Sequence, residues 1–137
     1  MKIAENEIHI WFTYDEEINP DFALTNYVQF LNHQELEQWQ KLYFDKYKHQ
    51  YLVTRMLVRD VLSRYLQGIP AENIEFITND YKKPYILPEQ LAIPLRFNIS
   101  HSEKMIVLAV SVGVEIGRSA LVRIGLTYCL LTGVYLY

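Results

Sequence analysis

Cysteine is almost missing from this 137-residue chain. Cys129 is its single example, which excludes an intrachain disulfide or a zinc cluster of cysteines and makes a reducing compartment the natural home. With five glycines and five prolines, nothing in the chain reads as low-complexity or collagen-like, and there is no internal repeat. The opening residues Met1-Lys2-Ile3-Ala4-Glu5-Asn6-Glu7 place acids where a secretory signal carries its apolar run, so a cytoplasmic location is expected. The longest uncharged apolar stretch, from Ile124 to Tyr137, has fourteen residues, short of the ~20 that a membrane helix needs. No broad excess of positive charge exists either: the net charge is −3, which argues against a general nucleic-acid binder.

What is present describes one soluble domain with one core. Half of the residues are apolar, 14% aromatic and 21% charged, and a chain of this size hides roughly two thirds of its unfolded surface on folding. The charge is graded. Residues 1 to 40 hold eight acids against Lys2 alone, whereas residues 41 to 66 hold six bases against Asp45 and Asp60. A local cationic stretch of this kind suits a small anionic ligand or an acidic partner, and equally a solvated helix face.

Residues 7 to 14 alternate, with Ile8, Ile10, Phe12 and Tyr14 on one face, the period of a half-buried strand. A loop through Asn19-Pro20 is expected next. Asn32 with Glu35 three positions on predicts a capping box opening a helix that ends near Phe44. A second helix, over about residues 47 to 66, is apolar around most of its circumference and should be buried. Arg55 and Arg59 lie one turn apart on it, with Lys48 close to their line. Burying guanidinium requires an anion, so either acidic side chains or a ligand phosphate must meet these arginines. Gly68 and Pro70 stop the helix. A short strand through Ile74 and Phe76 follows, then three over residues 96 to 100, 105 to 110 and 112 to 116, close enough to form an antiparallel meander. In the last, Val112, Val114 and Ile116 share one face and Glu115 stands among glycines on the other. The order of elements implies an α+β fold, an antiparallel sheet packed against two helices. His9 and His49 show no catalytic pattern.

Phe97-Asn98-Ile99-Ser100-His101-Ser102, followed by Gly113-Val114-Glu115-Ile116, resembles the signature of the 4'-phosphopantetheinyl transferase family, Sfp-like type. The helix segment Thr54-Arg55-Met56-Leu57-Val58-Arg59-Asp60-Val61-Leu62 resembles that family's basic helix, and Tyr81-Lys82-Lys83-Pro84 its Gly-Lys-Pro turn. The resemblance covers residues 7 to 117, the N-terminal half of such a protein, and residues 118 to 137 read as a divergent apolar tail rather than a separate domain. It implies transfer of phosphopantetheine from coenzyme A to a serine of an acyl or peptidyl carrier protein, with magnesium. Arg55, Lys83, Ser100 and His101 would then contact coenzyme A and Glu115 would be a magnesium ligand; no catalytic residue is assigned. Four departures stand out: Glu115 replaces an aspartate, Gly117 a glutamate, Gln50 an arginine and Lys82 a glycine. The family's second half, with its Lys-Glu motif, has no counterpart in residues 118 to 137. The alternatives are therefore a non-catalytic module binding coenzyme A or a carrier protein, an inactive fragment, or a homo-oligomer that builds its site between subunits.

Overall fold

The computed structural model describes residues 1–5, 7–78, 80, 83–102 and 105–113, and the backbone of 121–123, 127–129 and 134–136. Strand β1 (Glu7–Tyr14) has the expected bounds, but the apolar alternation marks its far face. His9, Trp11 and Thr13 point at the helices instead, and Trp11, 1% exposed, belongs to the main core. Ile8 and Phe12 on the other face are also buried, so β1 is covered on both sides rather than half-buried. The indole and the imidazole are placed inward because a buried hydroxyl meets them there: Tyr65 Oη lies 2.8 Å from Trp11 Nε1 and 2.7 Å from His9 Nδ1.

The expected loop at Asn19-Pro20 is a short helix, α1 (Pro20–Asn26). Asn19 Oδ1 accepts from the amides of Asp21 and Phe22, and Pro20 sits in the first turn, where its missing N–H costs nothing. Helix α2 (His33–Lys41) opens on the predicted capping box: Asn32 Oδ1 accepts from the Glu35 amide at 2.8 Å, and Glu35 Oε1 from the Asn32 amide at 3.0 Å. It stops at Lys41 because Leu42 is extended. Helix α3 (Asp45–Ser63) is buried continuously from Leu52 to Leu62, as its all-round apolar pattern requires. Gly68, at φ +77°, turns the chain away in a conformation that few other residues adopt.

Strands β2 (Phe76–Thr78) and β3 (Pro84–Ile86) pair as a small separate ribbon. Strands β4 (Leu95–Ser102) and β5 (Met105–Val112) form an antiparallel hairpin in unbroken register, and β5 pairs antiparallel with β1. Beyond β1, β6 (Leu121–Arg123) pairs parallel with Glu7–His9, β8 (Val134–Leu136) antiparallel with Trp11–Thr13, and β7 (Thr127–Cys129) with β8. The sheet order β4-β5-β1-β8-β7 leaves β4 at one edge. Gly113, at φ +68°, closes β5 by donating to Pro94 O at 3.0 Å. Of the strand expected over 112 to 116, Val112 ends β5, and Val114, Glu115 and Ile116 lie outside the described residues. The architecture is α+β, with α3 on the inner face of the largely antiparallel sheet; three helices are described rather than two. No helix among the described residues is long and apolar enough to cross a membrane.

Candidate functional site

The two arginines of α3 meet a carboxylate. Arg59, with no side-chain exposure, donates Nε and Nη2 to Glu35 Oε1 and Nη1 to the carbonyls of Ala71 and Ile74 at 2.9 and 3.0 Å. Arg55 donates Nε to Glu35 Oε2 at 2.5 Å, and both guanidiniums lie about 5 Å from the centre of the Phe76 ring. Burial alone would raise the Glu35 pKa, but the Arg59 hydrogen bonds, the Arg55 charge and the Asn32 amide overcome it and hold the carboxyl below its ordinary value. Arg59 is thereby a structural ion-pair partner. Arg55 is nearly buried and keeps its two Nη groups without a hydrogen bond among the described residues. Lys48 does not extend the arginine line: its Nζ donates to Trp39 O at 3.0 Å and lies 4.5 Å from the centre of the Trp39 ring, closing the end of α2.

The strand period separates the Ser100 and His101 side chains. Ser100 pairs with Val107 on the outer face, where Phe12 also lies, and is exposed. His101 pairs with Ile106 on the inner face, and its Nε2 lies 3.2 Å from Thr54 Oγ1 on α3. Lys83 is exposed in the loop before β3. With Tyr85, Pro88, Leu91, Arg96 and Phe97 it lines a groove of about 460 Å³ beside the edge of β4. Phe97 and His101 are four residues apart, about 13 Å of strand, so groove and imidazole lie along one strand.

A family model described as 4'-phosphopantetheinyl transferase, N-terminal, matches residues 19–113. The chain belongs to that family. Among its relatives, the 4'-phosphopantetheinyl transferase HetI of Nostoc sp. (strain PCC 7120) is 25% identical over 118 residues, 85% of this chain and 48% of HetI. The 4'-phosphopantetheinyl transferase Sfp of Bacillus subtilis is 31% identical over 98 residues, 68% of this chain and 41% of Sfp. The chain thus spans less than half the length of these curated relatives. Two solved structures share the fold. The Helicobacter pylori holo-[acyl-carrier-protein] synthase, solved in complex with coenzyme A, matches with a TM-score of 0.56 and 20% identity over 77% of this chain and 99% of that one. The Plasmodium yoelii holo-ACP-synthase gives 0.57 and 17% over 82% and 98%.

Within this phosphopantetheinyl transferase fold the five site residues named from the sequence are not equally placed. Arg55 and His101 project from facing elements, Lys83 stands on the groove and Ser100 on the opposite sheet face, while Glu115 lies outside the described residues. Among the described residues no three histidine, cysteine, aspartate or glutamate side chains come together as a metal site. Sequence reasoning missed Thr54 and the ion-pair role of Glu35. Thr54 had a signal, lying one helical turn after Gln50 and so able to bond its carbonyl, but its distance to His101 depends on how α3 packs on the sheet.

Proposed function

We propose that this chain is the coenzyme A-binding N-terminal lobe of a 4'-phosphopantetheinyl transferase of the holo-acyl-carrier-protein synthase type, with residues 1 to 117 as the lobe and 118 to 137 as an appended tail. The observation that carries this reading is the joint placement of His101 and the Lys83 groove along β4, the strand with the Phe97–Ser102 signature. A nucleotide with a 3'-phosphate and a 5'-pyrophosphate, stretched along this edge, has a partly apolar groove of about 460 Å³ for its adenosine end. Lys83 at the groove provides a cation, and His101, about 13 Å further on, an imidazole for a phosphate. Arg55 contributes charge from α3. The Ser100 side chain stands on the other face, so its share in such a site would come from its backbone.

In the reaction a carrier-protein serine oxygen forms a bond to the phosphorus that bears the pantetheine, the bond from that phosphorus to the oxygen leading to 3',5'-ADP breaks, and the serine proton leaves. What these residues contribute is binding and orientation, which supply much of the catalysis in phosphoryl transfer. Magnesium belongs to the same reading, with Glu115 as its ligand. So do a cytoplasmic location, an acyl or peptidyl carrier protein as acceptor, and self-association as one way to complete the site.

A second reading is a lobe that binds coenzyme A without turnover, since the residues on the groove and on β4 are placed to contact a ligand. One experiment separates the two. The chain is mixed with coenzyme A, magnesium and an apo carrier protein, and the carrier is weighed by mass spectrometry, while calorimetry follows coenzyme A and its 3'-dephospho analogue. A mass gain of one phosphopantetheine supports the transferase. Binding that weakens for the analogue, with no mass gain, supports the binding lobe. Absence of both rejects each reading.

A further inference from the structure

We propose that Thr54 is a positioning residue that holds His101 in its Nε2–H form and so reserves Nδ1 for the ligand. Thr54 Oγ1 lies 2.7 Å from the carbonyl oxygen of Gln50, one turn back on α3. A carbonyl can only accept, and two oxygens this close are held by a hydrogen between them, so the single Thr54 proton is committed there. The same Oγ1 lies 3.2 Å from His101 Nε2. Having spent its proton, the hydroxyl can only accept on that side, and the hydrogen between the two groups belongs to the imidazole.

The arrangement is built in rather than incidental. Thr54 is 7% exposed and lies within the buried stretch of α3, and the Gln50 carbonyl is fixed by the helix. His101 comes from the inner face of β4 opposite the apolar Ile106, and Nδ1 has no hydrogen-bond partner among the described residues. That nitrogen is the atom left to meet a ligand. In the neutral ring it accepts from a hydroxyl or amide donor, whereas a phosphate oxygen requires a hydrogen on it, and hence a ring protonated on both nitrogens. The identity of the ligand as coenzyme A rests on the function proposed above; the tautomer does not.

The test uses the full chain labelled with ¹⁵N, with long-range ¹H–¹⁵N spectra of the imidazoles at about pH 8, where an ordinary histidine is neutral. His101→Gln assigns the signal among the four histidines. Wild type is expected to show Nε2 protonated and Nδ1 bare. Thr54→Val should release the ring to a tautomer mixture, and Thr54→Ser should restore the wild-type pattern, which a merely structural threonine would not produce. A wild-type ring protonated at Nδ1, or a Thr54→Val pattern unchanged from wild type, overturns the proposal. Coenzyme A is then titrated. Wild type should move the Nδ1 signal, and Thr54→Val should bind roughly fivefold more weakly, the worth of one hydrogen bond, with Thr54→Ser near wild type. If wild type binds no coenzyme A, the functional reading fails while the tautomer result stands; if wild type and Thr54→Val bind equally, the ligand role of Thr54 is overturned.

Discussion

Removing the charge of Glu35 should unfold this protein more readily than removal of any surface acid, and two variants divide the effect. In Glu35→Gln the retained amide oxygen can occupy the place of Oε1, which accepts from Asn32 N, Arg59 Nε and Arg59 Nη2. The capping box therefore survives. The new NH₂ group then stands where Oε2 accepted from Arg55 Nε, placing donor against donor and leaving two nearly buried guanidiniums without a counter-charge. A charged hydrogen bond of this kind is worth about 1.5–3 kcal/mol. Glu35→Ala also loses the carboxylate half of the capping box and leaves Arg59 with the Ala71 and Ile74 carbonyls alone, so about 3–5 kcal/mol is expected. In a thermal melt followed by circular dichroism, 3 kcal/mol corresponds to a drop of roughly 10 °C for a domain of this size. The pH dependence has a definite sign. Because the folded carboxyl titrates below its ordinary 4.5, its contribution is present above that value and is lost as the pH falls through the folded pKa. Wild type should weaken in acid along a steeper limb than Glu35→Gln. A loss under about 1 kcal/mol in Glu35→Ala, or identical acid limbs, would rule out this role of the Glu35 carboxylate.

Tyr65→Phe should cost about 2 kcal/mol in urea unfolding, since it strands the Trp11 indole N–H and the His9 Nδ1 that the hydroxyl now satisfies. Burial, the largest cause, pushes the Tyr65 hydroxyl up to about 12. Its stabilisation is therefore present below the unfolded value near 10 and lost between about pH 10 and 12, so the phenylalanine variant should show a flatter alkaline limb. Lys48→Met should lower stability by about 1 kcal/mol, measured by the same titration, through loss of the Trp39 carbonyl and ring contacts. His101→Ala and Lys83→Ala, both at exposed positions, should leave the melting temperature nearly unchanged while weakening coenzyme A binding in calorimetry; unaltered binding in both would count against the proposed site.

Local features of the fold could be read before the structure, and long-range ones could not. The Asn32/Glu35 capping box and the bounds of β1 depend on residues within a few positions of each other, and both stand where the pattern put them. The start of α1 was also written locally, in an asparagine cap followed by proline, but a helix of seven residues has too little periodic pattern to distinguish it from a turn. For β1 the period identified a strand and misassigned its inner face, because His9 and Trp11 point inward to a hydroxyl more than fifty residues away. The same holds for the candidate site. Two partners for Arg55 and Arg59 were open because Glu35 precedes them by 20 and 24 positions and has a sufficient local role as a capping residue. That Ser100 and His101 face opposite ways follows from strand geometry alone. The groove beside β4, which joins Lys83 to Phe97, arises from the path of the β2–β3 ribbon and its following turn, which no spacing rule specifies.

The double duty of Glu35 changes how α2 can move. Nine residues make a helix that would be only fleetingly formed by itself in water, and its first turn would be expected to fray. Here the carboxylate that accepts from the Asn32 amide in the capping box is also held by two arginines from the buried length of α3, so opening the one end of α2 strips a counter-ion from the centre of the molecule. The amide of Glu35, near the start of a short peripheral helix, should then exchange its hydrogen with solvent at the slow rate of the core rather than the fast rate of a chain end.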